Sequence, residues 1–229
     1  MKKDISIGEI VALDFRAASV FKEAGIDFCC GGRMSIEEAC NEKGIDLAEI
    51  NRKLSELESQ PSDTVHNFIE WDLAFLCDYI VNTHHKFVLK SLPELVHYTN
   101  RIASVHGNRH PELAEVAGLF SEINRELLQH LKNEEENFFP AVKDFLRTGS
   151  AESKLTIINQ INKLSGEHEF AGGAMDKINS ITGNYNVPDD GCNTYHVTFR
   201  LLQQFEDDLH VHVHLENNIL FPKALKSVN

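Results

Sequence analysis

The sequence predicts an all-α protein in which a small helical N-terminal domain precedes an up-down four-helix bundle. Three observations carry that prediction. Four long stretches repeat apolar residues at helical spacing, at about 65–104, 111–147, 151–181 and 192–225. The breaks between them are short: Gly107-Asn108, Thr148-Gly149-Ser150 and the run from Gly183 to Pro188. No stretch reads as part of a strand-rich sheet, and short connections between long helices favour antiparallel neighbours.

The chain divides at a polar, proline-containing segment, Ser59-Gln60-Pro61-Ser62-Asp63. The expected organisation is a small helical domain over 1–58, a linker over 59–65 and the bundle over 66–229. Three short helices are expected before the linker. The first runs through Val11, Phe15, Val20 and Phe21 and stops at Gly25. Ser35-x-x-Glu38 has the pattern of a capping box and opens the second. Asp46 caps the third, where Leu47, Ile50, Leu54 and Leu57 share one face.

Within the bundle one motif occurs twice, His130-x3-Glu134-x4-Phe139-Pro140 and His212-x3-Glu216-x4-Phe221-Pro222. Four residues apart on a helix, the imidazole and carboxylate stand on the same face one turn apart. Both pairs lie in apolar stripes, where an uncompensated charge is costly. The third helix adds His168, in line with Ile157, Ile161, Leu164, Ala171, Met175 and Ile178. The first helix offers two registers. Ala74, Cys77, Val81, His85, Val88 and Leu92 form one stripe, and Leu73, Leu76, Ile80, His84 and Phe87 form another; periodicity alone does not choose between His84 and His85. Four imidazoles and two carboxylates without thiolate suit iron, manganese or zinc, and two carboxylates able to bridge favour a dinuclear centre. The Phe-Pro pairs have a structural role, filling the bundle and bending or tightening its helices. Glu135, Glu136, His210 and His214 turn away from the inward face and are expected in solvent. His106, just past a helix end, is expected to be exposed.

Composition bounds the rest. The chain has 229 residues, 42% of them hydrophobic, and a net charge of −13, which argues against nucleic acid or an anionic membrane as partner. No apolar run approaches a membrane span, and the MKKDISIGEI start lacks the apolar core of a secretory signal. Five cysteines, an odd number at irregular spacing, point to a reducing cytoplasm. Cys40, Cys77 and Cys192 have no partner by spacing and are expected to be inert. Cys29-Cys30 precedes Gly31-Gly32, which permits an exposed turn, and two neighbouring thiols there suit disulfide exchange or brief metal binding.

Taken together, DFCCGG, HLKNEEENFFP, SGEHEFAG and HVHLENNILFP resemble the repair-of-iron-centres family, also called ScdA- or YtfE-like, whose bundle is hemerythrin-like. The resemblance runs from Ile7 to Ala224. It implies His85 rather than His84, and an oxo-bridged di-iron centre held by His85, His130, Glu134, His168, His212 and Glu216, with both glutamates bridging. Oxygen-carrying hemerythrins have one more histidine, so simple oxygen carriage is not expected. The family is associated with restoring iron–sulfur clusters damaged by nitric oxide or peroxide. This implies clients with damaged clusters, nitric oxide or oxygen as small ligands, and a monomer or homodimer. Glu126, one turn before His130, and Glu167, beside His168, are candidates for an acidic lining or an iron exit path. A di-iron enzyme reducing nitric oxide or peroxide, with Cys29 and Cys30 as redox thiols, uses the same residues. A sensor of oxygen, nitric oxide or iron would need an output domain that the sequence does not display.

Overall fold

The computed structural model describes residues 5–59 and 67–228; of the expected linker over 59–65, residues 60–65 lie outside the described residues. The protein is all-α, and the described residues contain no strand, only one isolated bridge between Ser6 and Ser35. Among them, no helix is long and apolar enough to cross a membrane. The chain forms two compact units, one from residues 1–77 with 211–229 and the other from 78–210.

The first unit opens with α1 (Ile7–Leu13), α2 (Ala17–Glu23), α3 (Ile36–Lys43) and α4 (Leu47–Glu58). The single first helix expected from sequence is therefore two. Asp14 adopts an extended conformation, and its carboxylate accepts the backbone N–H of Arg16 at 3.0 Å and binds that residue's guanidinium. An acceptor so close to its own backbone competes with the helix and ends it. Ser35 with Glu38 forms the expected capping box, Asp46 caps α4 through the Ala48 N–H, and Ser6 with Glu9 makes a second box that opens α1. Ile7, Val11, Phe21, Phe28, Ile50 and Leu54 are buried.

A 3-10 turn, Phe68–Glu70, and the start of α5 (Leu73–Ile80) belong to this unit. So does the C-terminal segment, which carries a π-helical turn at Glu216–Leu220 and α11 (Phe221–Val228). Lys223 donates to the carbonyls of Ile69 and Trp71. Asn218 donates to the carbonyls of Phe28 and Cys29, at 3.2 and 3.0 Å, tying the cysteine loop to the C-terminal segment. That seam requires glycine. A Cβ on Gly8 would lie 2.3 Å from Asn218 Oδ1 and 3.0 Å from the Gly32 carbonyl, which accepts the Gly8 N–H.

The second unit holds the rest of the bundle. A π-helical turn, Val81–His85, leads into α6 (Lys86–His106). α7 (Glu112–Asn133) passes through another, Glu134–Phe138, into α8 (Phe139–Thr148). α9 (Ala151–Ile181) and α10 (Asn193–Leu215, in this unit up to His210) follow. Its core is built from Leu92, Leu95 and Ile102 of α6, Phe120 and Ile123 of α7, Ile161 and Met175 of α9, and Phe199 and Phe205 of α10. The Phe120 and Phe205 rings meet edge to face at 5.3 Å, the arrangement that the ring quadrupoles favour.

The first π turn resolves the two stripes seen in sequence. Leu73, Leu76 and Ile80 are buried before it, and His85, Val88 and Leu92 after it. The buried face passes from one stripe to the other across a spacing of five, which is the i→i+5 period of a π turn. Each stripe is correct for one half of the helix. In the other two π turns, Phe139 N–H bonds to the Glu134 carbonyl and Phe221 N–H to that of Glu216. Pro140 and Pro222 follow immediately. A proline has no N–H to offer and its ring crowds the preceding turn, so a widened turn accommodates it. The Val81–His85 turn forms without a proline.

Two glycines of similar local structure should respond to alanine with opposite sign. Gly8→Ala forces Asn218 aside and should cost about 1–3 kcal/mol, as overpacked sites do. Gly118 lies within α7 with open space at its Cβ position, so Gly118→Ala should add about 0.5–1 kcal/mol. Urea unfolding at equal metal content measures both. Shifts of the same sign would refute the close-packed seam.

Candidate metal centre

Within the second unit, four side chains from three helical segments converge in a dry interior. His85 ends the first π turn, His130 closes α7, Glu134 begins the next π turn and His168 lies mid-way along α9. Glu134 and His85 have no exposed surface, and His130 and His168 have almost none. Glu134 Oε2 is 3.4 Å from His85 Nε2 and 3.2 Å from His130 Nε2, and the His130 and His168 Nε2 atoms are 3.0 Å apart. In the segment 211–229 the second copy of the motif has the same internal geometry: His212 Nε2 is 3.2 Å from Glu216 Oε1, and both residues are buried.

These spacings have a chemical meaning. First-row metals bind imidazole nitrogen and carboxylate oxygen at about 2.1 Å, so donors at right-angle to tetrahedral separation stand roughly 3.0–3.4 Å apart. The outer face of each ring sets its inner face. Glu135 accepts from His85 Nδ1 at 2.8 Å, and Glu167 accepts from His130 Nδ1 at 2.8 Å. With Nδ1 donating to a carboxylate, a neutral imidazole aims its Nε2 lone pair inward. That bond to His130, with Lys163 nearby, holds the Glu167 carboxyl below its ordinary range. Lone pairs facing one another around a buried carboxylate form an electron-rich pocket that a cation satisfies. The donor set, nitrogen and oxygen without sulfur, fits iron.

His85 takes part in the convergence and His84 does not. The His84 ring is also buried, but its Nδ1 bonds to Asp208 at 3.0 Å and its edge meets Tyr79. Glu135 is exposed, as expected, and its carboxylate also accepts from His85. Its partner lies on another helix, whereas the sequence expectation judged its facing only against His130 of its own. Of the two acidic candidates, Glu167 touches a ligand-type residue, while Glu126 is half-exposed and paired with Arg125. Glu136 is exposed, as expected.

Other expectations change too. His214, expected in solvent, is fully buried between Phe15 and Phe28, with Nδ1 3.2 Å from Asn218 Nδ2. Burial pushes its pKa down to about 4, so it is neutral at pH 7. The expectation weighed bundle helices alone, and the cover comes from the N-terminal segment of the same unit. His210 is half-buried and lies within 4.8 Å of ligand atoms of Asp176 and Glu206. Sequence reasoning passed over Glu206, a buried carboxylate that accepts from Asn179; Glu206-x3-His210 reverses the order of the main motif at the same spacing. His106 is buried against Tyr195 and bonds to Cys192.

The two adjacent thiols are unequal. Cys29 is buried, and its Sγ donates to Asp27 Oδ1 at 3.1 Å; Cys30 is half-exposed. Asp27 also accepts the backbone N–H groups of Cys29, Cys30 and Gly31. The hydrogen bond with Cys30, burial and the Asp27 charge together raise the Cys29 pKa well above that of an ordinary thiol. Cys29 is therefore a thiol rather than a thiolate, and Cys30 is the accessible member.

Comparison with known proteins matches these two regions separately. Residues 3–58 match ScdA_N, described as a domain of unknown function (DUF542), and residues 78–224 match the hemerythrin HHE cation binding domain. The chain belongs to the ScdA/YtfE family of hemerythrin-type proteins. It is 33% identical to the iron-sulfur cluster repair protein ScdA of Staphylococcus epidermidis, over 97% of this chain and 98% of that one. It is 31% identical to the iron-sulfur cluster repair protein YtfE of Pectobacterium atrosepticum, over 98% of each chain. A probable iron-sulfur cluster repair protein of Haemophilus influenzae is 34% identical over 91% of each chain. Family membership makes this a hemerythrin-type metal-binding chain, and His85, His130, Glu134 and His168 are the residues of the second unit that could hold a cation.

The carboxylates behind the ligand rings can be tested directly. Glu135→Gln and Glu167→Gln should each weaken iron binding about 10–100-fold, the usual effect of losing such a partner. Glu126→Gln should leave it unchanged. Competition against a calibrated chelator measures all three, and equal affinities throughout would rule out the orienting role. In the same assay His85→Ala should lose iron and His84→Ala should retain it.

Proposed function

We propose that this protein holds two iron ions and repairs damaged iron–sulfur clusters by supplying iron. The observation that carries the reading is the buried convergence of His85, His130, Glu134 and His168 at metal-binding separations. His212 and Glu216, a second copy of the His-x3-Glu motif with the same internal spacing, would be the remaining residues to hold the metal. The names of the relatives support cluster repair as the task. Bound there, iron would supply redox chemistry between its ferrous and ferric states.

The protein's own residues then have defined parts. Four imidazoles and two carboxylates are few donors for two ions, so such a centre would keep open coordination positions. Glu135 and Glu167 keep the imidazole protons on Nδ1 and the lone pairs inward. The dry core around Glu134 excludes water from the ligands. Proteins carrying damaged iron–sulfur clusters are the partners in this reading. The five cysteines are unbridged, which fits a reducing compartment such as the cytoplasm.

The test follows the metal. Protein reconstituted with isotopically labelled iron should bind about two ions per chain. Incubated with a client whose cluster has lost iron, it should pass label into the restored cluster, and His168→Ala should abolish that transfer. Recovery of the client without label in its cluster would sink iron supply. Consumption of nitric oxide with full iron retention would move the assignment to a reductase.

A further inference from the structure

A second chemical site lies at the other end of α10, independent of iron. Cys192 immediately precedes that helix, is exposed, and has its Sγ 3.2 Å from His106 Nε2. His106 is nine-tenths buried and packs edge-on against the Tyr195 ring at 5.4 Å, with its imidazole beside the sulfur. The turn leading in is equally fixed. Gly191 donates to the Pro188 carbonyl at 2.8 Å, and a Cβ at Gly191 would lie 2.3 Å from Val187 Cγ1. The Cys192 carbonyl accepts the His196 N–H, and the backbone N–H groups of Thr194 and Tyr195 face the sulfur.

We propose that Cys192 and His106 form a nucleophilic thiol site that reacts with small peroxides. The exposed sulfur can be reached, one imidazole can take and return its proton, and the positive end of a 23-residue helix stabilises negative charge on it. In the reaction the thiolate attacks one peroxide oxygen, forming an S–O bond as the O–O bond breaks. Sulfur is oxidised by two electrons to a sulfenic acid and the peroxide is reduced. The departing hydroxide takes the proton from the His106 imidazolium and leaves as water. A low-molecular-weight thiol then condenses with the sulfenic acid, forming a mixed disulfide and releasing a second water.

The physical requirements for a reactive thiol agree with this arrangement. His106 first, then the N–H groups of Tyr195 and Thr194, bring the Cys192 pKa down to about 7. The other ionisable groups of the neighbourhood are Tyr195, His110, Asp190 and Glu112. His110 bridges Asp190 and Glu112, and Asp190 also holds Arg109, so these charges are largely engaged with one another. The remaining cysteines contrast with Cys192: Cys29, Cys40 and Cys77 are buried, and Cys30 is half-exposed.

The test uses the metal-loaded full chain and peptide mass mapping, which resolves the cysteines from one another. Alkylation of Cys192 by iodoacetamide should reach half its maximal rate near pH 7. In His106→Gln that midpoint should move to the range of an ordinary thiol, near 8.5, slowing alkylation at pH 7 roughly tenfold. Hydrogen peroxide with a sulfenic-acid trap should label Cys192, and Cys192→Ser should remove that label. A wild-type midpoint at 8.5 or above overturns the proposal whether or not H106Q folds. So does a midpoint unmoved in a folded H106Q, or the absence of trapped sulfenic acid at Cys192 when peroxide is supplied.

Discussion

The carboxylate of Glu134, buried without exposed surface among imidazoles, is the constraint around which the second unit is arranged. A charge in such an interior costs several kcal/mol unless opposite charge and hydrogen bonds compensate it. Every neighbouring choice follows from that cost. His85 and His130 face it from two helices, and their outer nitrogens are anchored by Glu135 and Glu167. Phe120, Ile123, Leu164 and Phe205 are buried in the apolar core of the same unit. Burial and the two outer hydrogen bonds together set which way these rings face.

Three π turns set the inward phase of the histidines and glutamates. An α-helix advances its inward face by 3.6 residues per turn, so a polar residue required at one height forces its neighbours into fixed positions. A π turn inserts one residue and resets the phase. At Val81–His85 that reset carries the buried face from Ile80 to His85 and leaves His84 for Asp208. Glu134 and Glu216 each start a π turn in the same way.

In the first unit, organisation centres on a polar tie. Asn218 bonds the carbonyls of Phe28 and Cys29, while Asp27 gathers the N–H groups of the same loop. This pins the cysteine pair with one thiol inward and one outward, and His214 is buried beneath the same loop as a neutral ring. Adjacent identical residues thus acquire different chemistry through burial and one shared carboxylate.

The helical class, the four long segments, the capping box at Ser35, the N-cap at Asp46 and the inward facing of His130, His168 and His212 were legible because each depends on local periodicity or on hydrogen bonds within a few residues. The duplicated His-x3-Glu motif was legible for the same reason: one helical turn joins its two ends. What only the tertiary structure decided depends on partners distant in sequence or on a break in periodicity. The burial of both Ile80 and His85 along one helix needed the π turn. The role of Glu135 needed a histidine 50 residues away, the burial of His214 needed the N-terminal loop, and the pairing of Cys192 needed His106. Spacing along a chain specifies which faces of its own helix a residue can occupy, but a side chain's charge state and chemistry are set by the groups that tertiary packing brings against it.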